Sequence, residues 1–391
     1  MFVELHLLQN FAPSNLNRDD TNAPKDCEFG GYRRARISSQ CIKRAIRDEF
    51  KRQQLLPPER QASRTRRLAT ELVDRLQAAG KAEAEAIQVV AAAVQGLGLS
   101  FKDDPDEPFT TEYLLFLAES EITALTSVCL DYWEELAAAG AQVAPAEDEP
   151  RSRRTAKRAG KAALSNGAKN ALKGVLDGGK AVDLALFGRM IADLPEKRID
   201  AASQVGHAIS TNRAAMEFDF YTAVDDLNPD DTSGAGMMGT VEFNSSCFYR
   251  YSNIDLSQLR RNLGEDDELV QAALGAFLRA SVLAIPTGKQ NSMAAQNPPS
   301  FVLAVVREDG LWSLANAFLQ PVAPDRFHDL IEKSVERLDR YWGQLQTMYG
   351  DDGIAGAWCI SLTGHGLTNL KEADAGNFNR LIQCVVDGAM A

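Results

Sequence analysis

Hydrophobic and polar positions follow two regimes along this chain. Residues 2–9 (Phe-Val-Glu-Leu-His-Leu-Leu-Gln) alternate well enough to predict a strand. Asn10 to Asp20 reads as a loop, rich in Asn and Asp around Pro13. Gly30-Gly31 predicts a turn, and 33–37 a short strand. Ser38 or Ser39 then supplies an N-cap for a helix over about 39–54. That helix places Ile42, Ala45, Ile46 and Phe50 on one face and Lys43, Arg47 and Lys51 on another, with Arg44 beside them.

From about 61 to 179 the apolar positions fall at helical spacing, as in Leu68-Leu72-Leu76 and Ile87-Val90-Val94, and strand-like alternation is absent. Strands are predicted again at 182–192 and near 205–211. A polar, Gly-rich stretch fills 212–246, and its Gly234–Gly239 segment reads as a hairpin tip. A strand at 247–252, helices at 255–262 and 266–284, and a strongly apolar strand at 301–306 follow. A helix over about 324–347 carries Phe327, Ile331, Leu338 and Trp342 on one side. A strand at 357–362 and a helix over 369–387 close the chain. The expectation is an α+β fold in which a helical insertion, 61–179, splits a core made of 1–60 and 180–391. The element order allows a βαββαβ-like core.

Charge alters this picture. The 391 residues carry a formal charge of −12, which taken whole argues against a nucleic-acid binder. The charge is uneven, however. Residues 33–52 hold 8 basic and 2 acidic residues, and 151–176 hold 8 basic and none acidic, while 103–149 hold 13 acidic and none basic. Local potential, rather than net charge, steers a polyanion to its site.

The six cysteines are dispersed without a CxxC pair, which points to thiols in a reducing compartment. Neither HExxH nor a Cys/His zinc pattern occurs, so no metal or cofactor is expected. Thr287-Gly288-Lys289-Gln290 resembles the end of a P-loop, but Leu283 stands where the first Gly belongs and Gln290 where the Mg²⁺-binding hydroxyl belongs. The first eight residues lack a basic leader, and no apolar stretch is long enough to span a bilayer. A cytoplasmic protein without membrane contact is expected.

At 15–47 the chain runs Asn-Leu-Asn-Arg-Asp-Asp, then Phe-Gly-Gly-Tyr-Arg-Arg-Ala-Arg-Ile-Ser-Ser-Gln-Cys-Ile-Lys-Arg-Ala-Ile-Arg. This closely resembles the opening of the CasC-type backbone subunit of the type I-E CRISPR Cascade complex. Further blocks agree in order: Asp183-Leu-Ala-Leu-Phe-Gly-Arg-Met190, His207-Ala-Ile, Thr222-Ala-Val-Asp-Asp-Leu227, Phe248-Tyr-Arg-Tyr and Pro286-Thr-Gly-Lys-Gln290. The resemblance implies a hand-shaped protein: an RRM-like (ferredoxin-like) palm, helical fingers over 61–179 and a thumb loop over about 211–246. It implies copies stacked along one CRISPR RNA, other Cascade subunits as partners and complementary target DNA paired to the guide. It implies no catalysis by this subunit.

A scaffold that accepts any guide must hold phosphate and sugar and leave base edges free. The resemblance places the RNA backbone along Arg18, Lys25, Arg33, Arg34, Arg36, Lys43, Arg44 and Arg47, whose plainer reading is a solvated helix face with a basic approach strand. Ser38 and Gln40 stand near a helix start, where backbone N–H groups favour phosphate; plain capping by Ser38 is compatible with that. Arg154, Lys157, Arg158 and Lys161 lie in a basic segment to which the resemblance lends, without matching exact positions, the role of a mobile fingers segment that engages nucleic acid; a solubilising tract is the plainer reading. Met190 matches a wedge against a kinked nucleotide. Phe220 and Tyr221 match adjacent thumb aromatics that stack on bases, and Met238 lies in the thumb tip; thumb packing is the alternative for all three. Lys289 and Gln290 contact phosphate or stabilise a turn. Tyr32 stands where relatives carry Lys or Arg, which leaves that contact in doubt.

Two other functions stay open at this level. Backbone subunits of type III effectors cleave RNA with a loop aspartate and a divalent ion, and Asp19 and Asp20 occupy a comparable loop; the plainer reading is that they orient Arg18 or cap a turn. A monomeric RRM-like single-strand binder is the other.

Overall fold

The computed structural model describes residues 1–102, 104, 106–107, 109–141, 164–223, 237–364 and 366–391. In chain order its strands are β1 (Phe2–Ser14), β2 (Asp26–Phe29), β3 (Tyr32–Ile37), β4 (Ala62–Thr65), β5 (Leu115–Ala118), β6 (Ser203–Val205), β7 (Ala208–Ser210), β8 (Glu217–Ala223), β9 (Met237–Asp255), β10 (Phe301–Arg307) and β11 (Ile354–Ser361). Its helices are α1 (Ser39–Arg52), α2 (Leu68–Ala78), α3 (Glu83–Leu97), α4 (Glu119–Asp131), α5 (Trp133–Ala141), α6 (Asn166–Val175), α7 (Val182–Phe187), α8 (Leu256–Asn262), α9 (Asp267–Leu283), α10 (Gln290–Met293), α11 (Leu330–Tyr349) and α12 (Phe378–Met390). They form two units. One joins Met1–Leu55, Ser203–Ser257 and Asp267–Ala391; the other joins Leu56–Ala202 and Gln258–Asp266.

The first unit is built on an antiparallel sheet in the order β11-β10-β1-β9-β7-β3-β2, with β6 and β8 also pairing to β9. Every residue of β10 is buried, so this strand needs cover on both faces. On one face Leu303 and Val305 pack with Val335, Leu338 and Trp342 of α11. α12 packs against β10 and β11. Each aliphatic side chain fully buried here contributes about 1.5–3 kcal/mol. The mixed helix and sheet composition with a large antiparallel sheet is the expected α+β class.

Polar groups also lie inside this sheet. The Glu4 carboxylate accepts from Tyr251 Oη and Trp312 N, both at 2.7 Å, with Arg307 Nε at 3.6 Å. Burial raises the Glu4 pKa against these partners. His6 Nδ1 lies 2.9 Å from Tyr249 Oη, and burial lowers the His6 pKa to about 3, so its ring is neutral.

The second unit gathers Leu72, Leu76, Val90, Val94, Leu125 and Leu136 into a helical core. It is not wholly helical: β4 and β5 pair antiparallel within it, a correction to the all-helical expectation. Both strands are four residues long, too short to show alternation. Residues 182–187 form α7, not the predicted strand. A short, fully buried apolar run has no periodicity to separate the two. Asp183 Oδ1 accepts the Ala62 N–H at 2.7 Å, and Arg189 forms a buried ion pair with Glu121 at 2.7 Å. These bonds hold 182–189 in the second unit, whose longer segment runs from Leu56 to Ala202.

Other elements shift as well. β1 continues through Ser14, where a loop was predicted, because it pairs with β9 as far as Asn244. β9 spans 19 residues instead of six. The α11 helix starts at Leu330, where Asp329 and Glu332 form a reciprocal capping box. Phe327 therefore lies outside that helix and is 70% exposed. No helix among the described residues is long and apolar enough to cross a membrane.

Candidate nucleic-acid interface

The candidate surface assembles around the start of α1, within the first unit. Ser38 caps the helix, its Oγ accepting from Cys41 N at 3.3 Å. Its own N–H donates to Asn17 Oδ1 at 2.8 Å, which ties the helix start to the preceding loop. That loop is organised by Asp19, whose Oδ1 accepts from Thr21 Oγ1, Thr21 N and Ala23 N at 2.8–3.0 Å. The Thr21 hydroxyl and these N–H groups hold the Asp19 carboxyl below its usual pKa. The turn presents Arg18, which is exposed and donates to Asn22 Oδ1 at 3.3 Å.

A third segment completes the surface. Gly288 lies against the backbone of Asn15 and Leu16, with no room for a Cβ. Lys289 follows in the left-handed region at φ 52°. Together Leu16, Arg18, Asn22, Arg44, Ala45, Asp48, Pro286 and Thr287 line a cleft of about 350 Å³. Arg44 Nε lies 3.6 Å from Asp48, an exposed pair at i, i+4 that contributes little. Lys43 and Arg47 stand one turn apart on α1 and are half-buried.

Beside the helix start lies the β2–β3 hairpin. Arg33 is exposed and ion-pairs with Asp26. Arg36 donates from Nε to the Asp26 carbonyl at 3.1 Å, and its guanidinium lies 3.2 Å from His207 Nδ1. The Ser39 N–H also donates to that nitrogen at 3.2 Å. Burial, then the charges of Arg36 and Lys25, lower the His207 pKa and favour the neutral acceptor these donors need. His207, Asn17 and Asn22 are the residues missed by sequence reasoning. His207 sat in a recognised block, but only the fold brings it to α1.

Arg34 is a correction. Its side chain is buried, and its guanidinium donates to the carbonyls of Ser210, Thr211, Phe318 and Leu319 at 2.6–3.1 Å. It pins the hairpin to its neighbours and presents nothing to a phosphate. Gln290 is likewise engaged, its Nε2 donating to the Pro286 and Ala295 carbonyls at 3.0 and 3.1 Å, the turn-stabilising role. Tyr32 donates to Gln320 Oε1 at 3.2 Å. Gln40, Lys25 and Lys289 are exposed or half-buried.

Phe220 and Tyr221 lie on β8, 64% and 40% exposed. Met190, in the second unit, is 80% exposed. Arg154, Lys157, Arg158 and Lys161, the Gly234–Gly236 part of the tip and the Met238 side chain lie outside what is described. Among the described residues no group of three or more His, Cys, Asp or Glu side chains is placed to hold a metal ion.

This is an α+β chain with a cationic surface centred on one helix start. It belongs to the CT1975-like protein family, whose model matches residues 3–386. No curated protein matches the chain. Among solved structures it is similar to a chain described as "CRISPR RNA-guided surveillance complex, pre-nicking", with a TM-score of 0.85 and 30% identity over 100% of both chains. It is also similar to a chain of a "CRISPR RNA-guided surveillance complex", with a TM-score of 0.74 and 25% identity over 100% of both.

Proposed function

We propose that this chain is a non-catalytic, CRISPR RNA-binding backbone subunit of CasC type, stacked in several copies along a guide RNA that it presents for pairing with target DNA. One observation carries the reading. Arg44 of α1, the Arg18 loop and the Pro286–Gly288 loop line one cleft in a chain 30% identical, over its whole length, to part of a CRISPR RNA-guided surveillance complex. In this reading the first unit is the RRM-like palm, the second is the fingers and the β8–β9 hairpin is the thumb. Other Cascade subunits cap the filament in a type I-E arrangement. Arg18, Lys25, Arg33, Arg36, Lys43, Arg44, Arg47 and Lys289 hold phosphates, and Ser38 and Gln40 add donors at the helix start.

The nuclease alternative is weakened by Asp19, whose carboxylate is engaged in its own turn. One experiment tests both readings. The assembled ribonucleoprotein is incubated with complementary RNA or DNA and Mg²⁺. The proposal expects pairing with intact target, whereas periodic RNA cuts abolished by Asp20→Ala overturn it.

A further inference from the structure

We propose that the free imidazole edge of His207 binds a ribose 2′-hydroxyl of the bound strand, which makes this residue a determinant of RNA over DNA. The inference rests on the RNA-binding reading above.

Strand register places the residue. β7 pairs with β3 so that Ala208 lies opposite Ile37. Antiparallel strands run in opposite senses, so His207, one residue earlier, meets the start of α1 at Ser38 and Ser39. It belongs to the two-residue link Gly206-His207 between β6 and β7, both of which pair with β9. The Gly206 N–H donates to the Tyr251 carbonyl at 2.9 Å. The link is short and held at both ends.

Hydrogen bonding then fixes the ring's protons. The Ser39 N–H and the Arg36 guanidinium both lie 3.2 Å from Nδ1. Each can only donate, so Nδ1 accepts and the neutral ring carries its proton on Nε2. Burial, then the charges of Arg36 and Lys25, disfavour a second proton. His207 is exposed, and its Nε2 has no partner among the described residues. An oriented, uncharged donor is left at the edge of a cationic surface.

Its neighbour decides what it binds. A phosphate prefers the guanidinium, because charge-assisted hydrogen bonds are about twice as strong as neutral ones. A phosphate on Arg36 brings the sugar joined to it to the imidazole edge, since the two side chains touch. The 2′-hydroxyl is the neutral group of that sugar that RNA has and DNA lacks, and its oxygen accepts from Nε2–H. Base edges stay untouched, as a guide of any sequence requires.

The test measures anisotropy of the full chain on two end-labelled single strands of one sequence. One is RNA, and the other is DNA with deoxyuridine for thymidine, so the strands differ only at the 2′ position. The proposal expects wild type to prefer RNA. His207→Asn carries Oδ1 in place of Nδ1, so Ser39 and Arg36 keep an acceptor, but the outward donor is gone. Its RNA affinity falls by about fivefold, the worth of one neutral hydrogen bond, while DNA affinity holds. The drop in the RNA-to-DNA ratio is a readout that loss of folding or of positioning does not produce. An equal loss on both strands assigns Nε2 to phosphate and overturns the ribose contact. His207→Ala weak on both strands, with His207→Asn restored to wild type on both, assigns a purely positioning role and also overturns it. A wild-type protein that binds the two strands equally overturns it while leaving single-strand binding intact. No anisotropy change on RNA with wild-type protein overturns the RNA reading together with this contact.

Discussion

The Ser38 N–H donates to Asn17 Oδ1 at 2.8 Å, and this bond fixes the Arg18 loop to the first turn of α1. Ser38 thus faces two ways: its hydroxyl caps the helix, and its amide holds the loop that presents a guanidinium. Asn17→Ala leaves the amide without this partner. Stability falls by about 1 kcal/mol, read from chemical denaturation. RNA affinity falls further than that loss explains, because Arg18 is no longer held.

Paired substitution of Lys43→Ala with Arg47→Ala tests the phosphate track. Each phosphate contact to a single strand contributes about 0.7 to the slope of log affinity against log salt, so the slope shrinks by about 1.4. An unchanged slope removes these two residues from the interface.

Gly288→Ala tests the cleft wall. An added Cβ meets the Leu16 backbone carbonyl, which cannot move aside like a side chain. The 286–289 loop must lift, and RNA binding weakens although no charge is lost. Thr287→Ala, a change at the cleft rim without such a clash, is expected to be milder. Equal affinities of wild type and Gly288→Ala contradict the packing.

His6 sets a stability dependence on pH. Its folded pKa of about 3 lies below the unfolded value near 6.5. The folded state binds fewer protons, so the stability held by neutral His6 is complete above pH 6.5 and lost as pH falls towards 3. Denaturant midpoints should drop across that window, and His6→Gln should flatten the trend. The raised Glu4 pKa acts in the opposite sense: the folded carboxyl takes up its proton above pH 4.5, so this offset accrues as pH falls towards 4.5 and stays constant below it.

In the second unit, Arg189→Met strands the buried Glu121 carboxylate, which still accepts from Ala118 N and Gly178 N. Removing one partner of a buried pair costs about 3–5 kcal/mol. The loss should appear in unfolding of the second unit, with the RNA surface of the first retained.

Much of the fold was legible. The Ile42-Ala45-Ile46-Phe50 stripe predicted the buried face of α1, and the unbroken apolar run at 301–306 predicted a strand. The misreadings share a cause. Residues 182–187 are buried all round, so neither period shows, and β4 and β5 are too short to show one. Among the candidate site residues, charge type nominated Arg18, Arg36 and Arg44 and, on the same ground, the buried Arg34. Only tertiary structure reveals that four carbonyls surround its guanidinium. His207 was missed because its place beside the α1 start depends on a neighbour in space.

The central claim is that copies of this chain assemble along RNA. Its most direct test is the mass of the complex, measured by light scattering, on single-stranded RNAs of increasing length. The account predicts protein copies added in regular steps as the RNA lengthens, with free protein failing to form the same assemblies. One protein per RNA at every length contradicts it.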